Sequence, residues 1–182
     1  MNQSLLLIVL ASLVLAATTN SGLTWKINPA TASGNWVNSV SCAGCDPYDG
    51  DTDCNNYLPI LCITHHRHFP QPSSLTCPNP SRPCWSGGIF TTTIPVQGAS
   101  IVDKSAGDDA CKQQYGPDSK MASHHDAWGW ASHGYILTTW TGRAWTWIRD
   151  QANGNCGSIW KYSKWQKNCR LKSVINSFIT WP

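Results

Sequence analysis

The chain runs to 182 residues, of which 13 are lysine or arginine and 10 are acidic, for a formal net charge of +3. Every acid is an aspartate, and so small a basic excess speaks against a nucleic-acid partner. Eleven tryptophans and nine cysteines point instead to a rigid, cross-linked domain with sparse surface charge.

Leu5 to Ala16 is apolar except for Ser12, and Val14 and Ala16 fit the pattern for signal cleavage after Ala16 or Ala17. Residues 1–17 therefore read as a signal peptide and 18–182 as a single disulfide-rich domain. The apolar run is too short to cross a bilayer comfortably and no later stretch is apolar for longer, so no integral membrane span is expected. The domain is expected to be secreted, extracellular or periplasmic, where thiols oxidise. Nine cysteines is an odd number. A free thiol or an intermolecular bridge, giving a covalent dimer, should take up the ninth.

Residues 42–84 hold six of the cysteines and seven of the eleven prolines and read as an irregular, stapled part. Cys42-Ala-Gly-Cys45 suits a local bridge, half of a zinc knuckle, or the ends of two longer bridges. With no second such pair, the zinc reading is weak. Asp49, Asp51 and Asp53 alternate around Gly50 and offer hard oxygen ligands for Ca2+, although Cys54 and Ile60 break the EF-hand pattern. A solvated turn is the alternative. Cys54 and Cys62 bracket a short loop. His66 and His68, in "HHRH", share one side of an extended segment and could hold Zn2+ or Cu2+, but two ligands do not close a site. Cys77 to Cys84 carries three prolines and reads as a loop closed by its own cysteines.

The part from 89 to 182 is more regular. "IFTTTIPVQG" predicts a strand ending near Pro95. Ser105 and Asp108 form a capping-box pattern, and Gly116-Pro117 stops the helix they begin. Ala106 and Ala110 beside Cys111 predict a short helix docked through small side chains. "KMASHH" leaves it as an extended segment. "RAWTWIRD" sets Trp145 and Trp147 on one face of a strand, with Thr146 and Ile148 on the other. Leu171, Val174, Ile175, Phe178 and Ile179 recur at helical spacing, yet their β-branching favours a final strand. Five basic residues between Lys161 and Lys172 suit an anionic polymer or a solvated surface.

His124-His125-Asp126 invites a catalytic reading, with a histidine as base and Asp126 orienting it. In an extended segment the two histidines point to opposite faces, and no nucleophile signature accompanies them. Structural histidines are the better reading. The tryptophans offer a binding surface, because aromatic faces stack on sugar rings. Trp128, Trp130, Trp145 and Trp147 are the ligand-binding candidates, with burial in the core as the alternative role.

A strand, then Ala106 and Cys111 on a short helix, a glycine, a Met-Ala turn, and later "TWIRDQ" before another cysteine resembles the C-type-lectin-like fold. The resemblance implies that Cys111 pairs with Cys156 or Cys169 downstream. "GDTDC…LPILC…WSGG…DACKQQYG…MASHHD" is also similar to a group of secreted bacterial cysteine-rich proteins, over Asp51 to Cys156, and implies no activity. The sugar-and-calcium motifs of true C-type lectins are absent, so no site residue carries over. The fold expected is α+β: a C-type-lectin-like twisted antiparallel sheet with one or two short helices. Its long loops are stapled by cysteines including Cys54, Cys62, Cys77, Cys84, Cys111 and Cys156. The function expected is a non-catalytic binding or surface-associated domain for a glycan or surface protein. The alternatives are a hydrolase using His124, His125 and Asp126 or a metal, and a structural subunit of an extracellular fibre or matrix.

Overall fold

Leu61-Cys62-Ile63-Thr64 carries buried side chains on both faces of an extended backbone, as a strand covered on two sides requires. The computed structural model, which describes residues 20–28, 37–65, 70–77, 79, 81–127 and 130–157, places this segment inside a curled sheet. The expected leader, the C-terminal element, His66, His68 and Trp128 lie outside the described residues. In chain order the strands are β1 (Ser21–Gly22), β2 (Thr24–Ile27), β3 (Val37–Ser41), β4 (Thr52–Asp53), β5 (Tyr57–Leu58), β6 (Leu61–His65), β7 (Trp85–Thr92) and β8 (Val96–Gln97). After helix α1 (Lys104–Tyr115) come β9 (Ser119–Met121), β10 (Ala131–Ile136) and β11 (Arg143–Trp145).

Seven strands form one sheet in the order β11-β2-β3-β10-β7-β6-β9. All neighbours are antiparallel except β10 and β7, which run parallel, so the fully antiparallel sheet expected from the sequence is corrected at one pair. The two edges of the sheet then meet. Trp145 N donates to Pro59 O at 2.8 Å, Trp147 N to Ala122 O at 3.0 Å, and His124 N to Trp147 O at 2.8 Å. Joining the edges satisfies backbone groups that an open sheet would expose.

The sheet's two faces bury different residues, as alternation dictates. Trp25, Leu61, Ile63, Phe90, Ala122 and Ala144 belong to the inner core. Ile60, Cys62, Ile101, Cys111, Met121 and Trp145 form a second core, between the sheet and α1. The strand period read in "RAWTWIRD" is present, since Trp145 and Trp147 pack with the second core and Ile148 with the first. β6 and the short β4 and β5 show that residues 42–84 are less irregular than expected. β7 also starts four residues before Ile89. It bulges against β10, where Gly87 takes φ 71° and the register shifts between His133 and Tyr135. The glycines in "WSGG" had masked this strand.

Helix α1 is capped by Asp103, whose carboxylate accepts from Ala106 N at 2.8 Å, and not by Ser105, which already lies inside the helix. Asp108 does not close a capping box. It takes Lys104 Nζ at 2.6 Å and Met121 N at 2.9 Å, and so ties the helix to β9. Gly107 lies against Met121, where a Cβ would collide with the sulfur. Gly116, at φ 91°, ends the helix as expected.

Four disulfides join Cys42 to Cys45, Cys54 to Cys156, Cys62 to Cys111, and Cys77 to Cys84. The local loop of Cys77–Cys84 is as predicted. The lectin-like pairing of Cys111 with Cys156 or Cys169 is overturned, because Cys62 on β6 lies directly beneath the helix. For the same reason Cys54 and Cys62 do not close a shared loop. The bridges use all eight cysteines of the described residues, and Cys169 is the ninth by count.

Trp145 is 1% exposed, and its indole N–H donates to Val96 O at 3.2 Å. Trp145→Ala is expected to lower unfolding free energy by about 3–5 kcal/mol, measured by urea denaturation. A loss under about 1 kcal/mol would contradict its place at the sheet closure.

Candidate functional site

The inner-face row of side chains does not end with the apolar layer. On β6, Leu61 and Ile63 are followed at the same parity by His65, which is exposed. Lys120 is the register partner of Ile63, and so shares its face. Ala122 and His124 continue that row. Past Ser123 the chain turns, with Asp126 N donating to Ser123 O at 2.9 Å and Asp126 Oδ2 accepting from Ser123 N at 2.6 Å.

This turn corrects the catalytic reading in two ways. His124 and His125 are not split across an extended strand, since their rings meet edge to face with centroids 5.3 Å apart. Asp126 orients neither of them: its other oxygen accepts from Lys120 Nζ at 3.1 Å. An aspartate beside its own turn captures the nearest backbone donor first. The carboxylate beside a histidine is Asp150, 3.4 Å from His125 Nε2. Sequence reasoning passed over Asp150, although "RD" directly after the buried Ile148 marks the end of a strand at the surface.

His124 is 6% exposed and packs its ring against Trp25 and Trp130, with centroid distances of 5.7 and 5.4 Å. Burial holds its pKa below the usual histidine value, the charge of His125 adds to this, and Asp150 opposes it. His65, although exposed at the strand end, is lowered in the same sense by partial desolvation of its ring and then by Lys120, against Asp126 and a hydrogen bond to the Ser86 backbone. The end of the sheet thus gathers two imidazoles of lowered pKa, His65 and His124, beside a Lys120–Asp126 ion pair.

Trp130 completes the group. It is 53% exposed, the most open tryptophan side chain among the exposed large hydrophobics. Its φ of 36° lies in the left-handed region, which costs a bulky residue energy. The conformation is held from outside, by Cys42 N donating to its carbonyl at 2.8 Å. Of the other tryptophan candidates, Trp145 is core and presents no free face, while Trp147 is half-buried against the same cluster. Large aromatics at the closing strand serve the core before they serve a ligand.

The aspartate candidates are not brought together. Asp51 binds Arg143 Nη1 at 2.7 Å and Thr24 N at 2.8 Å. Asp53 accepts from Asn55 N at 2.8 Å, and Asp49 is exposed. A guanidinium already neutralises the central carboxylate that Ca2+ would need. Among the described residues no group of three His, Cys, Asp or Glu could hold a metal ion. The Cys42–Cys45 bridge likewise removes the zinc-knuckle reading.

Comparison with known protein families, with curated proteins and with solved structures finds no match to this chain.

Burial also lowers the pKa of His133, against a hydrogen bond to the Cys84 backbone. Unfolded histidines take up protons as pH falls below about 6.5, while these three stay neutral until their lower native values. Their contribution to stability is therefore complete above that pH and is lost as pH drops through the native values. Melting temperature is expected to fall between pH 7 and pH 5, and less steeply in His124→Gln. An unchanged slope in the variant would contradict the assignment for His124.

Proposed function

We propose that the protein is a secreted, non-catalytic binding domain that recognises a glycan at the Trp130 end of the curled sheet. The observation that carries this reading is the exposed Trp130 ring, held in a costly backbone conformation beside His124. A fixed, open indole can stack on the C–H face of a sugar. Lys120, Asp126, His125 and Asp150 nearby supply donors and acceptors for hydroxyl groups. Such sites combine an apolar platform with a few placed polar groups.

Export is supported by the four disulfides. No helix among the described residues is long and apolar enough to cross a membrane. The C-type-lectin-like scaffold belongs to the proposal in one respect, a strand-rich body with one disulfide-anchored helix, while the Cys62–Cys111 pairing departs from it. A surface protein is the other ligand class, and a covalent dimer through Cys169 the other assembly. The hydrolase alternative is less well supported, because Asp126 is turned towards Lys120 and Ser123 and away from the histidines.

A glycan array and cell-wall preparations test the reading with mature protein. Wild type is expected to be retained on at least one glycan. Trp130→Ala should lose tenfold or more of that affinity, on the order of 1.4 kcal/mol, with an unchanged melting temperature. Retention on nothing, or equal retention of the folded variant, would overturn it.

A further inference from the structure

The Cys42–Cys45 bridge differs from its companions in what it contributes to the fold. It spans a sequence separation of 3, against 102 for Cys54–Cys156 and 49 for Cys62–Cys111. A bridge closing so short a loop constrains the unfolded chain least. The turn inside it is also held without the sulfurs. Cys45 N donates to Cys42 O at 3.0 Å, and Cys42 N to Trp130 O at 2.8 Å. Arg143 Nη2 donates to Ala43 O at 2.7 Å, and its Nη1 reaches Cys42 O at 3.4 Å. The guanidinium is itself fixed by Asp51 at 2.7 Å and by Thr24 O at 3.0 Å. Noncovalent bonds therefore keep the two cysteines facing each other whether or not the bridge exists.

Ala43, at φ 42°, and Gly44, at φ 82°, both lie in the left-handed region. An alanine resists that conformation. The bridge thus closes over a turn that Ala43 disfavours and that Arg143 holds in place. Access is one-sided. Cys42 is buried, Cys45 is half-buried, and Ala43 and Gly44 are exposed.

We infer that Cys42–Cys45 is a thiol–disulfide exchange site that oxidises a dithiol. A thiolate of the dithiol attacks Cys45 Sγ, forming a mixed disulfide and releasing Cys42 as a thiolate. The Cys42 sulfur is buried and lies 3.3 Å from Cys45 O, so it takes up a proton lost by the dithiol and donates it to that carbonyl. The second thiol then attacks the partner's own sulfur in the mixed disulfide and releases Cys45. The two protons lost by the dithiol end on Cys42 and Cys45, and two electrons pass to the protein. This inference does not rest on the glycan reading.

The test exposes the native protein to limiting dithiothreitol, traps free thiols with an alkylating reagent and locates them by mass spectrometry. Cys42 and Cys45 should be labelled at least tenfold faster than Cys77 and Cys84, the other short bridge, with the circular dichroism spectrum unchanged. Cys42→Ser leaves no bridge for the dithiol to attack and should oxidise none of it at this site, and the double variant Cys42→Ser with Cys45→Ser should fold normally. Labelling no faster than at Cys77 and Cys84, or reduction accompanied by unfolding, would overturn the inference.

Discussion

Strand β11 is bonded on both sides, and the arrangement of the site follows from that. On one side it pairs with β2, Trp145 opposite Thr24. On the other, Trp145 meets Pro59, and Trp147 meets Ala122 and His124. Without these second contacts the sheet would be an open ribbon, and the chain after β9 would have no reason to stop where it does. With them, His124 is anchored by its backbone amide at the seam, and the following turn must fold back over the sheet end. The glycines at the seam have the same cause. A side chain at Gly22 or Gly98 would collide with Cys156 Sγ or with the Trp145 ring. The closure needs a large flat ring and bare backbone around it.

Arg143 and Asp51 form the other organising contact. One guanidinium bonds to β2, to the Cys42–Cys45 turn and to the Asp51 carboxylate. The Asp51 side chain is only 10% exposed. Removing Arg143 would leave the Asp51 carboxylate with little access to water, which is more costly than losing a surface pair. This explains why an aspartate that looks like a calcium ligand in isolation is not available as one.

Several local features were legible in the sequence, although the helix cap was not, since Asp103 and not Ser105 takes that place. The helix stop at Gly116, the strand period around Trp145, the self-closed Cys77–Cys84 loop and the mixed α+β class all follow from short-range chemistry. Non-local facts were not legible. The partner of Cys111 depends on β6 running beneath the helix, and that strand was hidden inside a cysteine- and proline-rich stretch. The parallel β7–β10 pair depends on a glycine bulge. Asp150 reaches His125 only because β11 closes the sheet. In the site itself, Trp130 and His124 were both visible as candidates. Trp145 was not separable from them, because a tryptophan lining a strand face reads the same whether that face meets water or a helix.

The proposed ligand face lies where the inner row of side chains emerges, at Trp130 and the turn after His124, while Trp145 and Trp147 pack in the layer beneath α1. Nuclear magnetic resonance of the isotopically labelled protein tests this most directly, by following the indole N–H signals during titration with a glycan that the protein retains. The Trp130 signal and the backbone amides of His125 and Asp126 should shift in proportion to occupancy, while the Trp145 indole stays still. Shifts centred on Trp145 and Trp147, with Trp130 unmoved, would contradict the account.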